Sequence, residues 1–106
     1  MDDEIILLET KTDQDDIGNT IITETIKHPV ICKVRSVDRQ EFFKAGQVGV
    51  NPKYRFDTDK VNYHGEELVK YKDKVYGIYR TYEAGTDTIE LYAEEKAGVT
   101  YVEQDD

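Results

Sequence analysis

In the stretch Thr88-Ile89-Glu90-Leu91-Tyr92-Ala93-Glu94, an apolar side chain stands at every second position: Ile89, Leu91 and Ala93 alternate with Thr88, Glu90, Tyr92 and Glu94. A period of two belongs to a pleated strand with one face on a core, and a helix cannot satisfy it. The same period governs Val30-Ile31-Cys32-Lys33-Val34-Arg35, where Val30, Cys32 and Val34 share a face. It returns at Lys53–Asp57, where Tyr54 and Phe56 face one way and Lys53, Arg55 and Asp57 the other. The supply of side chains agrees. Val, Ile and Thr number 10, 9 and 10, with eight Tyr beside them, against four Leu and four Ala. Branched and aromatic side chains suit a pleated surface and lose rotamer freedom in helices. These patterns predict a mainly β fold: a small antiparallel barrel or sandwich of six to seven strands with one short helix. At 106 residues the chain has room for one domain and one modest core.

The order of elements follows from the runs and their punctuation. Residues 4–10 form a short Ile- and Leu-rich run, read as a strand covered on both faces. The turn formers of residues 13–19 separate it from a second branched run, Thr20–Ile26, so the two predict a long hairpin. His28-Pro29 is expected to end that hairpin, because proline cannot donate to a ladder, and Val30–Arg35 then counts as a third strand. Asp38-Arg39-Gln40-Glu41 has the form of a capping box, an N-cap acceptor with Glu three residues on. The helix that follows holds Phe42, Phe43 and Ala45, with Gly46 as its expected stop. Beyond a polar stretch at 58–66, strands are expected at Leu68–Tyr71, Val75–Tyr82 and Thr88–Ala93. A tight turn at Lys72-Asp73 and a hairpin turn at 84–87 join them. The core is expected over 4–95, with an acidic C-terminal tail, 96–106, expected to fray.

Charge is unevenly spread. The net charge is −9, yet residues 1–25 carry eight acids against one Lys and residues 81–106 carry the same. Residues 26–80 hold twelve Lys and Arg against seven acids. Acidic ends and a basic middle invite contact between neighbouring copies, as in a ring of identical subunits. The overall sign opposes tight DNA binding. No apolar run approaches the ~20 residues of a membrane helix. Cys32 is the only cysteine, and the start Met1-Asp2-Asp3-Glu4 is acidic where a secretory signal is basic. Synthesis in a reducing cytosol is the expectation.

Catalytic chemistry is not indicated. His28 and His64 are thin material for acid–base work, and the sequence holds no phosphate-cradling glycine loop and no Cys/His metal spacing. Asp13, Asp15, Gly18 and Glu24 fall at positions 1, 3, 6 and 12 of a calcium loop, but Ile17 occupies a ligand position and the flanks read as strands. A plain hairpin loop needs the same residues, so no metal and no cofactor is expected. Tyr71, Tyr76, Tyr79 and Tyr82 lie among Lys70, Lys72, Lys74 and Arg80, which raises an oligonucleotide-binding barrel as one alternative. A small acidic inhibitor that mimics DNA and blocks a basic enzyme is another.

The run of residues from 34 to 47, Val-Arg-Ser-Val-Asp-Arg-Gln-Glu-Phe-Phe-Lys-Ala-Gly-Gln, joins several other pieces in order. They are the acidic Gly-containing loop of 12–19, the alternating Lys53-Tyr54-Arg55-Phe56, the strand–turn–strand of 69–76, and the closing strand at 89–93. In this order and spacing, over roughly residues 4–95, the chain resembles the head-tail joining (head closure, or stopper) proteins of tailed bacteriophages. It departs from them at the tight turn, where Asp73 replaces a frequent Gly, and in lacking a Trp late in the first hairpin. The resemblance implies a non-enzymatic virion protein, made in the bacterial host. It would dock as a ring below the portal or adaptor ring, close the DNA channel after packaging and receive a tail protein. Double-stranded DNA would pass without specific binding, which an acidic lining favours, and no membrane is involved. The segment implied to reorganise on assembly is about 36–52. Its candidate partner or channel contacts are Asp38, Arg39, Glu41, Phe42, Phe43, Lys44, Gln47, Val48 and Val50. Phe42 and Phe43 have two readings: capping one end of the barrel, or waiting for neighbours.

Overall fold

A computed structural model describes residues 2–95; the expected tail, 96–106, lies outside the described residues. Six strands form one antiparallel sheet: β1 (Asp2–Gln14), β2 (Thr20–Arg35), β3 (Pro52–Asp59), β4 (Leu68–Tyr71), β5 (Lys74–Ala84) and β6 (Thr88–Glu95). The sheet closes on itself in the order β1-β2-β3-β6-β5-β4. Where the six strands pair, closure removes the unpaired edges that an open sheet would offer to other chains. One helix, α1 (Arg39–Gln47), and one 3-10 turn, Lys60–Asn62, interrupt the strands.

Period-two alternation becomes an inside and an outside. Ile5, Leu7, Cys32, Phe56, Val69, Ile89, Leu91 and Ala93 fill the interior together with Tyr71 and Tyr76. Tyr54 stands edge-on to both tyrosines, with ring centroids 5.2 and 5.4 Å away, and Phe56 meets Tyr71 at 5.4 Å. These are the tilted geometries that aromatic quadrupoles favour.

Two expectations about the strands are corrected. His28-Pro29 does not end a strand: β2 runs unbroken for 16 residues, with Pro29 opposite Ile6 of β1. β3 pairs with β2 only at Lys33–Arg35. At Pro29, therefore, one side of β2 has no ladder to interrupt, and a residue without an N–H can face it. The barrel accordingly has six strands, the lower of the two numbers expected. The β1–β2 hairpin also outgrows the barrel. β4 pairs with β1 only at Ile6–Leu8, so residues 9–14 and 20–27 form a two-stranded arm beyond it, with a register shift between Lys11 and Thr12.

The turns follow the sequence closely. Lys72 and Asp73 both take positive φ, 49° and 65°, the requirement of the tight hairpin turn whose twist matches the strands. Gly85, at φ 72°, serves the turn between β5 and β6.

Candidate functional site

Helix α1 begins as the sequence predicts. Asp38 sits in extended conformation as N-cap, and its Oδ1 accepts the Glu41 N–H at 2.7 Å. The capping box is only half made, because the Glu41 side chain turns to the barrel instead. There it accepts hydrogen bonds from the Tyr79 hydroxyl at 2.7 Å and from Arg80, through Nε at 3.1 Å and through Nη2.

The helix passes the expected stop at Gly46 and ends at Gln47. Gly49 carries the reversal at φ 81°. Its N–H donates to the Gly46 carbonyl at 3.2 Å, and the Val50 N–H donates to the Ala45 carbonyl at 2.9 Å. This pair of bonds is the Schellman closure, which needs a left-handed residue one place beyond the cap. Gly46 has ordinary helical backbone and was the wrong glycine.

What the helix shows to solvent is unusual. Ala45 is its only buried residue. Phe42 and Phe43 are 52% and 66% exposed and Val48, just past the helix, 78%. The two Phe therefore do not cap the barrel. Arg39, Phe43, Lys44 and Gln47 line a shallow apolar groove with Gln40. Glu41, Lys44, Ala45, Val48 and Val50 line a hollow against Tyr79 and Arg80, of about 530 Å³. The nine expected contact residues thus converge on one small protrusion.

Sequence reasoning missed the anchorage of this protrusion. Arg35, Arg55, Tyr92 and Arg80 are consecutive partners across β2, β3, β6 and β5. Asp57 takes Arg35 Nε at 2.9 Å and both Arg55 Nε and Nη2, at 2.9 and 2.8 Å. The Tyr92 hydroxyl donates to Glu90 at 2.6 Å, and Arg80 lies over the Tyr92 ring. The belt ends on Glu41. The bond from Arg80, with that from Tyr79, holds the Glu41 carboxyl below its ordinary value against the opposing effect of burial. Burial and then the Glu41 bond push the Tyr79 phenol up.

Other candidates resolve differently. Tyr71 and Tyr76 are core residues while Tyr82 is exposed, so the four tyrosines do not form one stacking face. In the 13–19 loop, Asp15 Oδ1 accepts the Ile17 and Asn19 N–H groups at 3.0 and 2.8 Å, an Asx turn with Gly18 at φ 86°. His28 and His64 meet with ring centroids 6.4 Å apart, beside Glu9 and Glu66 respectively. Among the described residues no group of three or more His, Cys, Asp and Glu side chains is arranged to hold a metal ion. No helix of the described residues is long and apolar enough to cross a membrane. Comparison with known proteins finds no matching family model and no matching curated protein.

Proposed function

We propose that this chain is a structural subunit of a phage head-tail connector, docking as a ring below the portal to close the DNA channel and receive the tail. One observation supports the reading above the others. A barrel closed by its six strands holds out a short helix whose large apolar side chains, Phe42, Phe43 and Val48, face solvent. Exposed apolar clusters mark interaction surfaces, and this one falls within the segment that the resemblance assigns to assembly. A subunit of this kind binds weakly alone and strongly as a ring, through multivalency.

A DNA-mimicking inhibitor is less well supported. Asp57, Glu90 and Glu41 are tied to Arg35, Arg55 and Arg80, so on this side of the barrel the carboxylates are neutralised instead of displayed. The test is to mix the purified protein with DNA-filled heads or portal rings from the same genome and image the product. A new ring of density at the portal vertex is expected. A folded protein that leaves portals bare, and instead binds a basic enzyme as a monomer, overturns the reading.

A further inference from the structure

We infer that copies of this chain join head to tail, the tip of the β1–β2 arm of one seating on helix α1 of the next. The tip carries Asp13, Asp15 and Asp16 around Ile17, which is 82% exposed. None of these aspartates has a cationic partner among the described residues; Asp15 uses its carboxylate on loop amides. A two-stranded ribbon is marginal by itself, and beyond Leu8 no other strand borders the arm. Its base is covered, with Thr25 buried and Glu9, Thr10 and Thr12 lining a hollow with His64–Glu67, while Ile17 at the tip stays exposed. The helix offers the opposite surface. Arg39 and Lys44 flank Phe43 in the groove described above; Lys44 also feels the Glu41 carboxylate, while Arg39 makes no ion pair among the described residues. Sign and apolarity therefore match: acidic around Ile17, basic around Phe43.

The two surfaces cannot meet within one chain. β2 starts at the tip and ends before the helix, and its 16 residues extend up to roughly 50 Å at about 3.3 Å each. The long axis of the molecule is 45 Å. The helix is fixed at the far end through Glu41 and the Arg35–Arg55–Tyr92–Arg80 row. Tip and helix thus occupy opposite poles, and complementary patches at opposite poles of identical subunits make a heterologous contact, which closes into a ring when the rotation allows. The inference deepens the connector reading by naming the surfaces through which a ring forms, but the contact itself stands on the charge and geometry of this chain.

The test uses full-length single-cysteine additions at exposed positions beside the contact, Asn19→Cys in one preparation and Gln40→Cys in a differently tagged one, mixed at about 1 mM under mild oxidation. Cys32 is buried and stays out of reach. The mixed disulfide is expected to exceed either like-with-like product several-fold. Charge reversal is the second arm. Asp13→Lys with Asp16→Lys, or Arg39→Glu with Lys44→Glu, should weaken self-association at low salt at least tenfold, and all four together in one chain should restore it. No mixed disulfide, or equal disulfides of all three kinds, overturns the inference. Portal binding without the mixed disulfide on the particle sinks this contact and spares the connector reading. The mixed disulfide in solution without portal binding does the reverse.

Discussion

The guanidinium carbon of Arg80 lies 3.8 Å from the centroid of the Tyr92 ring while the nitrogens of Arg80 donate to Glu41 of helix α1. One side chain therefore stacks on the barrel wall and holds the helix against it. The helix makes little other purchase on the barrel, since Ala45 alone is buried. Glu41→Gln or Arg80→Ala should lower global stability by only about 1 kcal/mol, because Arg80 is 42% exposed and a half-solvated ion pair contributes little. The local effect is larger: amide exchange over Phe42–Val48 should accelerate while the β1 and β6 amides keep their protection. Unchanged exchange in the helix would show that the belt does not hold it.

Acid should release the same latch. The Glu41 carboxyl titrates below its ordinary 4.5 in the fold, chiefly because Arg80 donates to it. Its contribution is thus complete above pH 4.5 and disappears as pH falls through the depressed value. Helix amide protection followed by pH should drop in that acidic window, and Glu41→Gln should abolish the drop. An equal drop in the variant would assign it to another carboxylate.

Cys32, 3% exposed, has its thiol pushed up to about 12, first by burial and then by Asp3, Asp57 and Asp2. The thiolate is the reactive form. Alkylation of the native protein at pH 8 should therefore be slower by orders of magnitude than in urea, and its rate should track global unfolding. Rapid native labelling would place Cys32 at the surface.

Much of this was readable from residues alone, and the failures have common physical causes. Ile89, Leu91 and Ala93 announced their burial by alternation, and Lys72-Asp73 announced its turn by falling between two strand patterns. Pro29 misled because its effect depends on whether β2 has a second neighbour there, which is a tertiary fact. Gly46 and Gly49 are equivalent as letters, and only the bond from Val50 to Ala45 selects the second. The Arg35–Arg55–Tyr92–Arg80 row has no sequence signal, since it arises from register between strands distant in the chain. Glu41 looked like a capping-box residue because the competing partners, Tyr79 and Arg80, lie 38 and 39 residues away.

At the tight turn, Lys72 and Asp73 both occupy the left-handed region, where a side chain costs about 1 kcal/mol and glycine does not. Asp73→Gly should raise stability by about 0.5–1 kcal/mol, seen as a higher urea midpoint with unchanged slope. The gain is tempered because glycine also loosens the unfolded chain. A lower midpoint would mean that the Asp73 side chain makes a contact that matters more than its backbone strain.

Phe56 and Phe43 supply the sharpest contrast between core and surface. Phe56 is fully buried, against Tyr54 and Tyr71, while Phe43 stands on the open face of the helix. Phe56→Ala should cost about 3–5 kcal/mol, a large fraction of the total stability of a chain this small. Phe43→Ala removes the same atoms from solvent instead of from a core, so its stability should stay within about 0.5 kcal/mol of the parent. If the exposed Phe43 exists for a partner, its truncation should still abolish self-association while the thermal midpoint holds. A Phe43→Ala protein that melts early would instead assign that ring to the fold, and one that melts normally and associates normally would leave the apolar face of the helix without a partner.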